Sequence, residues 1–332
     1  MRTIERLDHV LGACLIVAIA GLFGVGPAMA QVYPSRPITM IVPFPAGGPS
    51  DTVARIVADG MRASLKQSIV IENVVGASGS IAVGRAARAA ADGYTLSYGG
   101  LGPHVLNGAL FALHYDPVND FEPVALLADM PMLIAAKNTM PATNLKELIA
   151  WLRANPDKAM SGTPGAGTLS EIAGVFFQNS TGTRFRFVPY RGVGFAIQDL
   201  LAGRIDMMFD FVANSLPQVR ARTIKAYAVL AKRRLSAAPD IPTADEEGVP
   251  GLYASSWQAL WVPKGTPKSA IDRLDGAVVD ALSDPAVRKR LTDITQEIPP
   301  REQQTPEALA KLQKAEIEKW WPIIKTAGIT AE

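Results

Sequence analysis

Cysteine and histidine are nearly missing from this 332-residue chain: Cys14 is the only thiol, and His104 and His114 are the only imidazoles after His9. A segment without cysteine beyond residue 14 excludes a disulfide framework, a zinc-thiolate site and a thiol nucleophile there. Two histidines with no cysteine leave no histidine-cysteine metal site, and neither a metal nor a cofactor is expected. No G-x-G-x-x-G fingerprint, G-x-x-x-x-G-K-[ST] loop or G-x-S-x-G elbow is present, and Ser78, Ser161 and Ser170 lie in no nucleophile motif. Charge of one sign is also lacking. The 33 Lys+Arg and 31 Asp+Glu give a net +2, with the signs interspersed, so no nucleic-acid footprint or membrane-surface patch is visible. After Ala30 no apolar run nears the roughly 18 residues of a membrane span.

The first thirty residues read as an export signal. Arg2 and Arg6 precede an apolar stretch over 10–25, and Ala28-Met29-Ala30 supplies a small-x-small site, so cleavage is expected after Ala30. A retained anchor is the alternative, but the stretch is short and ends in cleavage chemistry. Leu11-Gly12-Ala13-Cys14 looks like a lipoprotein box, yet nearly all of the apolar region follows that cysteine, so no lipid anchor is expected. About 300 residues remain, more than one ordinary core holds, and two domains are expected.

Strands alternate with helices in the remaining sequence, the order of a mostly parallel sheet. The run Ile38-Thr39-Met40-Ile41-Val42 is a buried strand, followed by a Pro/Gly loop and a helix whose Val53, Ile56, Val57, Met61 and Leu65 share a face. Further strands are predicted at 69–73, 94–98, 124–127, 133–136, 159–161, 185–188, 205–210 and 225–230, with the last returning to the first domain. Met130-Pro131 marks the crossing between domains. Domain I is therefore read as 31–128 plus 226–332, and domain II as 129–225. Thr305-Pro306-Glu307 starts a final helix. Its Leu309, Leu312, Ile317, Trp320 and Ile324 are assigned to packing.

Three segments, 43–51, 161–168 and 189–194, share one design, a glycine loop between a strand and a helix. Unpaired N–H groups at a helix start carry partial positive charge, which makes such loops cradles for a carboxylate or phosphate. Ordinary connections in an α/β protein look similar one at a time; three in one chain, split between two domains, point to anion binding. Asp51 reads either as an acid stabilised by the helix start or as a ligand contact. Ser50 or Asp51 offers an N-cap oxygen. Thr168 and Glu171 have capping-box spacing, favoured over a ligand role for Glu171. Tyr190 can donate from its phenol and Arg191 can pair with a second carboxylate, unless the arginine is simply solvated. Gly102 and His104 follow the third strand and could border a cleft, as could Asp210; a structural role is the other reading for His104 and a turn role for Asp210.

Motifs through the whole of the chain after the export signal resemble the Bug-type extracytoplasmic solute receptors of tripartite tricarboxylate transporters. They include Arg36-Pro37, Val42-Pro43-Phe44-Pro45-Ala46-Gly47-Gly48 with Asp51, Ala91-Asp92-Gly93-Tyr94, Val188-Pro189-Tyr190-Arg191-Gly192, Leu200-Leu201-Ala202-Gly203-Arg204-Ile205-Asp206, and Pro263-Lys264-Gly265-Thr266-Pro267. The resemblance implies a two-lobed periplasmic binding-protein fold, type II-like, with each lobe a mostly parallel sheet flanked by helices and the ligand cleft between them. It implies that Phe44, Ala46, Gly47, Gly48 and Asp51 in one lobe, and Gly165, Gly167 and Thr168 in the other, grip a carboxylate, with Tyr190 and Arg191 nearby. Ser50, Gly102 and Asp210 complete the candidate ligand-binding set. The implied function is a periplasmic, monomeric receptor that delivers a small organic acid to a membrane permease and catalyses nothing. A sensor subunit for a membrane signalling protein would use the same residues, and a periplasmic hydrolase is the remaining alternative. One departure stands out: Glu171-Ile172 occupies the place of the family's common histidine-leucine pair.

Overall fold

Apolar runs buried on both faces form the centres of two sheets. The computed structural model describes residues 33–165 and 167–330; the expected export signal, 1–30, and its cleavage point after Ala30 lie outside the described residues. Strand β1 (Ile38–Val42) has Ile38, Met40 and Val42 wholly buried, as a central strand requires. Helix α1 (Pro49–Leu65) begins with proline in its first turn and buries Val53, Ile56, Val57, Met61 and Leu65. There follow β2 (Ile69–Asn73), α2 (Ser80–Ala87), β3 (Thr95–Gly100), a wide turn over Gly102–Leu106 running into α3 (Asn107–Leu110), and β4 (Phe121–Ala128).

The second half runs β5 (Met132–Lys137), α4 (Leu145–Ala154), β6 (Met160–Thr163), α5 (Leu169–Thr181), β7 (Arg186–Pro189), α6 (Val193–Leu201), β8 (Met207–Phe211), α7 (Val212–Arg220) and β9 (Ile224–Val229). The chain closes with β10 (Gln258–Pro263), α8 (Lys268–Ser283), α9 (Pro285–Asp293) and α10 (Pro306–Ala327). In α10, Thr305 accepts the Ala308 N–H, as its sequence predicts, and Leu309, Trp320 and Ile324 are buried.

The sheets have the orders β2-β1-β3-β10-β4 and β7-β6-β8-β5-β9. In each, two parallel pairings surround the first strand of the local series, and one reversed strand is inserted before the last. The inserted strand, β10 in one sheet and β5 in the other, is the one reached by crossing over. Each sheet is thus mostly parallel and flanked by helices, the α/β class read from the sequence.

The strand predicted at 225–230 belongs elsewhere than expected. It is the edge strand β9 of the second sheet, antiparallel to β5 with Leu133 opposite Val229 and Ala136 opposite Lys225. Its pairing buries Tyr227, Ala228 and Val229. Hydropathy marks such a segment as a strand but carries no information on which edge receives it. The chain returns to the first sheet later, where residues 254–256 run antiparallel to the outgoing segment: Met130 N–H donates to Ser256 O at 3.3 Å, Ser256 N–H to Met130 O at 3.0 Å, and Met132 N–H to Ala254 O at 3.0 Å. Helix α10 also bridges the halves, with the Trp320 ring edge-on to Phe176 of α5 at 5.5 Å.

Candidate functional site

Parallel strands place the loops that follow them on one sheet edge. β1 and β3 are followed by the 43–48 loop and by Gly102; β6, β7 and β8 are followed by the 164–168 loop, by Tyr190-Arg191 and by the Asp210 turn. All candidate residues therefore lie at the carboxyl ends of parallel strands, where open α/β sheets bind ligands.

In the first loop Pro45, Ala46 and Gly47 are exposed, while Phe44, Gly48 and Ser50 are half-buried. Gly47 has φ +79°, a left-handed conformation that glycine adopts without strain. Asp51 is 2% exposed and saturated by donors: Oδ2 accepts from Gly47 N at 2.8 Å and Arg55 Nε at 2.9 Å, and Oδ1 accepts from Asn73 Nδ2 at 3.0 Å. Asn73 also donates to Phe44 O at 2.9 Å. The Arg55 bond, helped by Gly47 and Asn73, outweighs burial and holds Asp51 down to about 2. Asp51 is thus the brace of the loop. Arg55 and Asn73 were not singled out in the sequence. The i,i+4 spacing of Asp51 and Arg55 was readable. Asn73 was not, because only the β1–β2 register sets it opposite Val42.

The second loop repeats this construction. Gly167 has φ +69°, and its N–H donates to Glu171 Oε2 at 2.7 Å, four residues on. The expected capping box is not formed. Thr168 Oγ1 turns back to donate to Gly165 O at 2.8 Å, an oxygen that Thr163 Oγ1 also reaches at 3.2 Å, and Glu171 takes the N–H one residue before the helix cap. A sequence signal for this pairing existed: Ala46-Gly47-x-x-Ser50-Asp51 recurs as Ala166-Gly167-x-x-Ser170-Glu171.

The Tyr190 hydroxyl donates to Asp199 Oδ2 at 2.8 Å, in α6; burial and then that pairing raise its pKa. Asp210 takes the turn role, with Oδ1 accepting from Asn214 at 3.0 Å and Oδ2 from Ser215 at 2.6 Å. Burial raises its pKa against those bonds. Arg191 is exposed beside the second loop, since a Cβ on Gly165 would lie 3.8 Å from Tyr190 O. Gly102 has open space where a side chain would stand. His104 is a core residue, wholly buried and stacked on Trp261 at 3.8 Å, with Nε2 3.2 Å from Ser97 Oγ. Burial pushes its pKa down to about 3, so the ring is neutral.

A cavity of about 630 Å³ backs the first loop, with Gly47, Asp51 and Arg55 on one wall and Arg290, Asp293 and Ile294 on the other. Among the described residues no group of three or more His, Cys, Asp or Glu is arranged to hold a metal, and no helix is long and apolar enough to cross a membrane.

Proteins of known structure share this fold. The chain is 40% identical to MatC from Rhodopseudomonas palustris, a structure with bound malate, over 88% of this chain and 100% of that one, with TM-score 0.70. It is 36% identical to the periplasmic binding protein BugD, over 90% of this chain and 100% of that one, also at TM-score 0.70. A curated relative from Agrobacterium vitis, the UPF0065 protein in the TAR-I ttuE-ttuC' intergenic region, is 38% identical over 91% of this chain and 88% of its own length. Residues 53–329 match the family described as "Tripartite tricarboxylate transporter family receptor". That match covers most of the described fold, the second braced loop included, and the chain belongs to the tripartite tricarboxylate transporter receptor family of solute-binding proteins.

Proposed function

We propose that this receptor closes two lobes on a small organic acid and holds its carboxylate on the helix-start N–H groups of the first loop. The lobes are read as the β2-β1-β3-β10-β4 half and the β7-β6-β8-β5-β9 half, meeting at 129–131 and 254–256. The observation that carries the reading is the pair of loops with the same build, each with a carboxylate clamped to a left-handed glycine. Because the first-turn N–H groups of α1 and α5 have no carbonyl of their own helix to bond, they favour an anion. The malate bound to MatC is an acid of this kind.

In this reading the chain is exported with cleavage after Ala30, works as a monomer without catalysis, and hands its ligand to the membrane permease of a tripartite transporter. The test is native mass spectrometry of the purified protein before and after partial unfolding and dialysis, followed by thermal shift against mono- and dicarboxylates. A native-state ligand at one hundred times its Kd adds about 2.7 kcal/mol, enough for a rise of several degrees. A stripped, folded protein that responds to no acid in the panel would sink the reading.

A further inference from the structure

We propose that Glu171 makes the second loop a receptor for a hydrogen-bond donor on the ligand, so that this chain selects carboxylates bearing a hydroxyl or ammonium over the same acids without one. The inference rests on the two-loop reading above and concerns what the two loops do differently.

Asp51 and Glu171 occupy equivalent places, but only Asp51 is satisfied. Both its oxygens are bonded, and Arg55 neutralises it at 2.9 Å. Glu171 spends Oε2 on Gly167 N–H. Among the described residues Oε1 accepts no hydrogen bond, and no lysine or arginine forms an ion pair with Glu171. Glu171 is half-buried at the first turn of α5. A carboxylate oxygen with free lone pairs beside the ligand loop repels a second carboxylate set against it and accepts from an O–H or N–H.

Arg191, exposed in the adjoining loop, does not cancel this selectivity. Its charge acts alike on a plain acid and the matching hydroxy acid, which carry equal charge, so discrimination between those two falls to Glu171; the ammonium of the amino acid is in addition repelled by Arg191.

The test is calorimetric titration of the dialysed protein with three matched sets: succinate, malate and aspartate; glutarate, 2-hydroxyglutarate and glutamate; propionate, lactate and alanine. In the set that binds, the member with a donor is expected to bind roughly 10- to 100-fold more tightly than the plain acid, the range of a hydrogen bond to a charged group. Preference for the hydroxy acid identifies a neutral donor, and preference for the amino acid a cationic one. Glu171→Gln is expected to bring the ratio to within about threefold, largely by improving the plain acid. A plain acid that binds as tightly as its partners overturns the assignment in the unaltered protein, whether or not the variant folds. A folded Glu171→Gln with an unchanged ratio overturns it too. Binding by none of the nine acids would overturn this assignment together with the carboxylate reading.

Discussion

The Asp51 carboxylate accepts the Gly47 N–H at 2.8 Å, and Glu171 accepts the Gly167 N–H at 2.7 Å. In both loops the acid stands four residues after a left-handed glycine and fixes the conformation that turns the helix start outward. Folded Asp51 is held at about 2 against an ordinary 3.8, so its stabilisation is complete above pH 3.8 and is lost as pH falls through 2. Asp51→Asn is expected to cost about 2 kcal/mol in urea unfolding at pH 7, and much less near pH 2. Equal costs at both pH values would remove the ionised brace.

Asp129, at the crossing between the sheets, carries a buried Oδ1 without a hydrogen-bond partner. Burial raises it to about 6, against the Ser255 hydroxyl, with Glu316 and Glu297 adding repulsion. The folded state therefore keeps a proton that the unfolded chain releases above its ordinary 3.8. The stabilisation is present below that value and is lost as pH rises through 6. Asp129→Asn is expected to raise stability by ~1–3 kcal/mol at pH 7.5 and to change little at pH 3.5, measured by denaturant unfolding.

His104 pulls the other way. Its folded pKa of about 3 lies below the ordinary 6.5, so the unfolded chain gains a proton first, and stability drains away between pH 6.5 and 3. His104→Gln loses the Trp261 stack, so its absolute stability falls; the slope is the test. From pH 6.5 to 5 the variant is expected to lose ~1–2 kcal/mol less than the native protein.

Gly100 ends β3 against the returning segment, where an added Cβ would lie 1.8 Å from Trp257 O, the acceptor of Leu101 N–H at 3.3 Å. Backbone cannot yield as a flexible side chain does. Gly100→Ala is expected to cost more than ~2 kcal/mol or to abolish soluble expression. A Tm within 1–2 °C of the native value, on the order of the shift from a neutral surface change, would show that the close approach relaxes freely.

Arg191 is exposed beside the second loop. Arg191→Ala is expected to weaken a dicarboxylate about 3- to 10-fold, with the loss shrinking in high salt, and to leave a monocarboxylate unchanged. Titration at two ionic strengths reads both effects.

Legibility followed the range of the interaction. Features of a single element were visible: the buried run at Ile38–Val42, the apolar face of α1, and the Thr305 cap; the start of α1 was not, since Gly48 is its N-cap and neither Ser50 nor Asp51 caps it. The partner of Tyr190 was not visible, and for Asp210 the turn role was one of two readings left open. Tyr190 pairs with Asp199 only because α6 folds back along its strand, and Asp210 is claimed by Asn214 and Ser215 once α7 turns away from β8. Side chains with several possible partners take the one that packing presents.

By itself the sequence determined the alternation of strands and helices, the glycine loops between them and the lack of a thiol beyond Cys14, because each depends on local periodicity or residue type. The tertiary structure decided which edge receives β9, that Asn73 reaches across to the first loop, and that Asp51 is neutralised while Glu171 is not. Those outcomes depend on strand register and on which charges meet across space, and neither is written in the order of residues along one segment.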